Sequence, residues 1–95
     1  MIEKQNVRER KYIIPNNRIQ IGRYITCDII LESPYISNEH CAIFSNSNEV
    51  YIEDLLSTNG TYVNGKRINT NVKLQDGDII KIHQDTFIEF KKLNK

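Results

Sequence analysis

The chain has no tryptophan, only four glycines, two prolines and two cysteines in 95 residues, and no excess of either charge. Each scarcity excludes something. Cys27 and Cys41 are the only cysteines, form no C-x-x-C pair, and are expected to stay reduced in an intracellular chain. With His40 and His83 they make no ligand array at a familiar zinc spacing, so no structural metal is expected and both cysteines read as small apolar fillers. Thirteen Lys and Arg against twelve Asp and Glu leave a formal charge of +1. A nucleic-acid binder usually carries a basic stripe, and here the cations are interspersed with acids. No apolar run approaches the roughly 18–20 residues of a membrane span, and Met1-Ile2-Glu3-Lys4-Gln5 lacks the apolar core of a signal peptide. An intracellular chain with no nucleic-acid, membrane or cofactor partner is the expectation. No Gly-Lys-Ser or Gly-Lys-Thr cradle for a nucleotide occurs either.

What is present suits one wetted globular domain over residues 1–95, monomeric in isolation, with 39% apolar and 26% charged residues. Residues 1–7 and 93–95 are expected to fray. Turn formers recur every eight to twelve residues or so, an all-β rhythm. Pro15-Asn16-Asn17 divides a run ending Tyr12-Ile13-Ile14 from Arg18-Ile19-Gln20-Ile21. Further strand-forming runs are Ile29-Ile30-Leu31, Cys41-Ala42-Ile43-Phe44 and Val50-Tyr51-Ile52-Glu53, the last two separated by a polar loop from Ser45 to Glu49. Asn64-Gly65 between Thr61-Tyr62-Val63 and Lys66-Arg67-Ile68 is a strong hairpin signal, because a type I′ turn needs positive φ at both central residues. Asp76-Gly77-Asp78 precedes Ile79-Ile80-Lys81-Ile82, and in the final run Ile88 and Phe90 share one side. No window sustains a helical apolar period, so two packed, mainly antiparallel sheets with loops at their ends are expected.

Three loop segments carry the chemistry. Gly22-Arg23 follows an alternating run, Ser37-Asn38-Glu39-His40 precedes a strand, and Ser57-Thr58-Asn59-Gly60 is richer in turn formers than a connection needs. Arg23 taken alone reads first as a solvated surface charge, since lone arginines are mostly exposed. A loop stiffened by its own Ser, Thr and Asn bonds also presents its remaining donors with less entropy to lose. Arginine, hydroxyls and amides together suit phosphate oxygens, which accept forked, charge-assisted hydrogen bonds. A hydrolase built on Ser37, His40 and an acid such as Asp54 lacks the G-x-S-x-G context of an exposed nucleophile.

Taken in order, Gly22-Arg23, Ser37-x-x-His40 and Thr58-Asn59-Gly60, continued by Thr61-Tyr62-Val63-Asn64-Gly65 and Asp76-Gly77-Asp78, resemble the forkhead-associated (FHA) domain over roughly residues 18–90. The resemblance implies a β-sandwich of about eleven short strands that binds phosphothreonine peptides through loops at one end. It gives Arg23, Ser37 and Thr58 direct phosphate contacts and Asn59 the ligand backbone. Asn38 stands where many members carry arginine, so it is expected to reach the phosphate as a neutral donor. Gly22 and His40 are implied supports, His40 bracing two loops, while Tyr35 and Gly60 are implied in specificity. The Ile36–His40 and Ser57–Thr61 pairing looks most like FHA domains of checkpoint-type Ser/Thr kinases, which implies DNA-damage signalling and a nuclear location. No His-Arg-Asp or Asp-Phe-Gly signature occurs, so the chain itself is expected to be non-catalytic. The alternative is a scaffold that associates without phosphate, through a patch of Tyr12, Tyr51 and Tyr62.

Overall fold

The computed structural model describes residues 18–84 and 86–91. Among these residues there are nine strands and no helix: β1 (Arg18–Gly22), β2 (Ile29–Ile30), β3 (Cys41–Asn46), β4 (Glu49–Asp54), β5 (Tyr62–Val63), β6 (Lys66–Arg67), β7 (Val72–Lys73), β8 (Ile79–His83) and β9 (Thr86–Glu89). The run ending Tyr12-Ile13-Ile14, with Tyr12 of the scaffold alternative, lies outside the described residues, as do the residues expected to fray.

The strands form a β-sandwich of a five-stranded sheet, β2-β1-β3-β4-β7, and a four-stranded sheet, β6-β5-β8-β9. All neighbours are antiparallel except β1 and β2, which pair in parallel through Ile21↔Ile29 and Gly22↔Ile30. The alternation read from the sequence sets the faces. Ile19 and Ile21 of β1, Ile43 of β3 and Ile52 of β4 meet Val63, Ile80 and Ile82 from the other sheet in one buried cluster. Each fully buried isoleucine contributes about 1.5–3 kcal/mol of transfer free energy, so the closely packed sheets give a stiff base for the loops. Phe90 points inward, whereas Phe87 remains 59% exposed on the outer face.

Two local features depart from the sequence reading or were absent from it. The polar stretch from Ser45 to Glu49 is no five-residue loop. Asn46 pairs with Glu49, leaving Ser47-Asn48 as a two-residue turn. Their φ values of 54° and 69° supply the doubly positive geometry of a type I′ turn, which asparagine tolerates better than most residues. Strand β7 is the other, two residues too polar and short to announce themselves, paired to β4 through Tyr51↔Lys73 and Ile52↔Val72.

The register brings the three loop segments together. Ile21, Cys41 and Asp54 are successive cross-strand partners on β1, β3 and β4. One step beyond, the His40 N–H donates to the Ile21 carbonyl and the Leu55 N–H to the His40 carbonyl, both at 2.9 Å. The segments after Gly22, before His40 and after Asp54 therefore leave the same sheet end side by side, about 5 Å apart from strand to strand.

Candidate functional site

Gly22 opens the site because nothing larger fits. A Cβ there would lie 2.2 Å from the Asn38 carbonyl oxygen and 3.0 Å from Cys27 Sγ. The close approach lets the Asn38 carbonyl accept the backbone N–H groups of Arg23 and Tyr24, at 3.1 and 3.2 Å, and the Cys27 thiol at 3.2 Å. Burial pushes both thiols up, that of Cys41 to about 12, so neither is a nucleophile at neutral pH. Arg23 is exposed, and its Nε donates to the Ile36 carbonyl at 3.1 Å. Among the described residues it has no carboxylate partner. The guanidinium is thus held at its neck by the carbonyl that precedes the half-buried Ser37 and Asn38, while the residue stays exposed.

His40 is completely buried and joins two loops. Its Nδ1 accepts the Ser37 N–H at 3.2 Å, which leaves Nε2 protonated to donate to the Gly60 carbonyl at 2.8 Å. Ser37 Oγ in turn accepts the Thr58 N–H at 3.0 Å, and Asn59 Nδ2 donates to the Tyr35 carbonyl at 2.8 Å. Three bonds therefore tie the Tyr35–His40 segment to the Thr58–Gly60 segment.

The second loop has its own anchor, one that sequence reasoning cast only as a possible catalytic acid. The Asp54 carboxylate accepts the Ser57 N–H at 3.1 Å, the Ser57 hydroxyl, and the Thr61 hydroxyl at 2.6 Å. Burial pushes its pKa up, but the bonds from Ser57 and Thr61, with His40 nearby, outweigh this and hold the carboxyl below its ordinary value. Ser57 Oγ also accepts the Gly60 N–H at 3.0 Å. Gly60, expected in specificity, is buried with φ +92°, and its two backbone groups serve Ser57 and His40. The signal for this anchor lay in the chain, since Asp-x-x-Ser closes a turn through its own side chain.

The same geometry disassembles a hydrolase. His40 bonds the Ser37 backbone rather than its hydroxyl, and the Asp54 carboxylate faces Ser57 and Thr61. Among the described residues, Ser37 Oγ accepts the Thr58 N–H and bonds neither His40 nor Asp54.

Tyr35 is 59% exposed but fixed, its ring stacked on that of His83 with centroids 4.8 Å apart. His83 was missed by sequence reasoning, and no local signal points to it, because the contact joins the β2–β3 loop to strand β8 of the other sheet. Behind the stack lies a shallow groove of about 560 Å³ bordered by Asn59, Tyr62 and Lys81.

A family model described as FHA domain matches residues 19–83, well over half the chain and all three loop segments. The chain belongs to the FHA family. Among its relatives, the proliferation marker protein Ki-67 of Homo sapiens is 41% identical over 66 residues, covering 70% of this chain and 2% of Ki-67. A solved structure of EmbR from Mycobacterium tuberculosis, in complex with a low-affinity phosphopeptide, superposes with a TM-score of 0.69 at 36% identity, covering 82% of this chain and 21% of EmbR. The FHA domain of MEK1, solved with a phosphothreonine peptide of HOP1, gives a TM-score of 0.64 at 28% identity, covering 74% of this chain and 76% of that one. The FHA chain thus spans only a small part of Ki-67 and of EmbR.

Proposed function

We propose that this FHA domain binds phosphothreonine peptides and so mediates phosphorylation-dependent protein association. The observation that carries the reading is the convergence of Arg23, just after β1, with Ser37, Thr58 and Asn59 on two further loops that His40 locks to each other. Arg23 supplies the charge. The Ser37 and Thr58 hydroxyls complete the oxygen shell, the Asn38 amide adds a neutral donor, and the Asn59 amide holds the ligand backbone. The EmbR and MEK1 complexes support the ligand class. A phosphothreonine brings about −1.5 to −2 charges, and each charge-assisted bond is worth about 1.5–3 kcal/mol before the costs of association. Three or four such bonds lead to micromolar affinity, about −8 kcal/mol.

The reading of the parent as a checkpoint-type kinase is part of the same proposal, and its support is the two loop motifs. The relatives named above carry the domain within a proliferation marker and a transcriptional regulator. The scaffold alternative fares worse, since Tyr51 stacks on Phe44 on the five-stranded sheet while Tyr62 belongs to the other.

Calorimetric titration with a degenerate phosphothreonine peptide pool, its unphosphorylated twin and the variant Arg23→Ala tests the proposal. Micromolar binding of the phosphorylated pool alone, lost in the variant, is expected. Equal binding of both pools, or binding that survives in Arg23→Ala, would defeat it.

A further inference from the structure

On the outer face of the four-stranded sheet, one lateral row of cross-strand partners alternates cation and aromatic. Tyr62 pairs with Arg67 on one side and with Lys81 on the other, and Lys81 pairs with Phe87. Directly opposed residues of antiparallel strands share a face, and Lys81 Nζ indeed sits 5.1 Å from the centroid of the Tyr62 ring. Among the described residues neither Arg67 nor Lys81 has an ion-pair partner. The acid on β9, Glu89, lies one row further on, opposite Ile79, and pairs with Lys91. Phe87 leaves 59% of its surface in water.

The row joins the loop end at two places. A Cβ on Gly60 would lie 2.7 Å from Arg67 Nε, so the Arg67 side chain runs along the Gly60 backbone. Tyr62 and Lys81 border the groove that Asn59 and Tyr35 share. A chain held by Asn59 therefore meets this face as soon as it leaves the loops. Three strand spacings of about 4.8 Å make the row roughly 14 Å long, the reach of about four extended residues at about 3.3 Å each.

We infer that the row Arg67–Tyr62–Lys81–Phe87 binds the stretch of the phosphoprotein that runs on past Asn59, and that it favours a stretch in which acidic and apolar side chains alternate. The inference rests on the phosphothreonine reading. Acids in that stretch complement Arg67 and Lys81, while apolar or aromatic side chains cover Tyr62 and Phe87. The face selects the partner and the loops read its modification.

The test is a titration of the wild-type domain and of the double variant Arg67→Glu/Lys81→Glu with a short phosphothreonine peptide. Parallel titrations use versions extended by four residues of alternating acid and aromatic at either end, and versions with lysine in place of the acids. One acidic extension should bind the wild type about five- to tenfold more tightly than the short peptide, from two exposed charge pairs and one covered ring. The gain should vanish in the double variant and with the lysine extension, and shrink in high salt as the charge pairs are screened. The variant Arg67→Gln/Lys81→Gln, which reverses no charge, should lose most of the gain while still binding the short peptide like the wild type. No gain from either extension, or a gain that persists in the double variant, overturns the inference and leaves the phosphothreonine reading standing. A short peptide that fails to bind the wild type overturns both.

Discussion

Asn59-Gly60 and Asn64-Gly65 are the same dipeptide in two settings. At Asn64-Gly65 both residues have positive φ, 51° and 88°, and close the β5–β6 hairpin. The Asn64 amide donates to Asp78 and its oxygen accepts the Ile79 N–H, so the side chain stitches one turn to the start of the neighbouring strand. At Asn59-Gly60 only the glycine has positive φ, and no hairpin forms. There the Asn59 amide crosses to the Tyr35 carbonyl, and the Gly60 carbonyl receives the buried His40 ring. The first pair ends a strand and satisfies its own neighbourhood. The second belongs to a joint between loops, with Asn59, Thr58 and Arg23 all exposed around it. The dipeptide specifies backbone freedom, and the partners it finds decide whether that freedom makes a turn or a binding surface.

The comparison breaks most completely at His40. Replacing it with alanine empties a buried site and orphans the Gly60 carbonyl, together about 3 kcal/mol. Chemical denaturation of His40→Ala should show that loss, and phosphothreonine binding should go with it because the two loops separate.

The two asparagines give the next contrast. Asn64→Ala places alanine at positive φ and removes two hydrogen bonds, so it should lower stability by about 2 kcal/mol while leaving peptide affinity unchanged. Asn59→Ala, on an exposed loop, should alter stability by less than about 1 kcal/mol and weaken the phosphothreonine peptide about tenfold. Paired melts and titrations check both halves.

Acid sharpens the role of Asp54. Its folded pKa is depressed, so its contribution is fully present above the ordinary carboxylate value of about 3.9 and is lost as pH falls through the lowered folded value. Asp54→Asn should therefore be less stable than wild type at pH 7, and the difference should narrow by pH 3. Denaturant midpoints at the two pH values measure it.

The smallest effect is expected at Leu56, which is 97% exposed with φ +58°. Asparagine suits that conformation better, and Leu56→Asn should stabilise the domain by about 0.5 kcal/mol in a thermal melt.

Much of this was legible in the chain. Alternation at Ile19 and Ile21 and at Ile80 and Ile82 fixes which faces are buried, and Asn64-Gly65 announces its hairpin, because those signals are local. The ordered loop motifs pointed to the family through Arg23, Ser37, His40 and Asn59. What stayed hidden depends on distant parts of the chain. The parallel pairing of β1 with β2, the stack of Tyr35 on His83 and the packing of Arg67 along Gly60 carry no local signature. Strand β7 was hidden for another reason, since two residues hold no periodicity.

The most direct test of the account is backbone amide chemical-shift mapping of the domain with a phosphothreonine peptide and its unphosphorylated twin. The account predicts that the phosphorylated peptide alone shifts Arg23, Ser37, Thr58, Asn59 and Gly60, while Ser47, Asn48 and Gly65 at the opposite end stay still. Shifts centred on the opposite turns, or the same shifts with the unphosphorylated peptide, would contradict it.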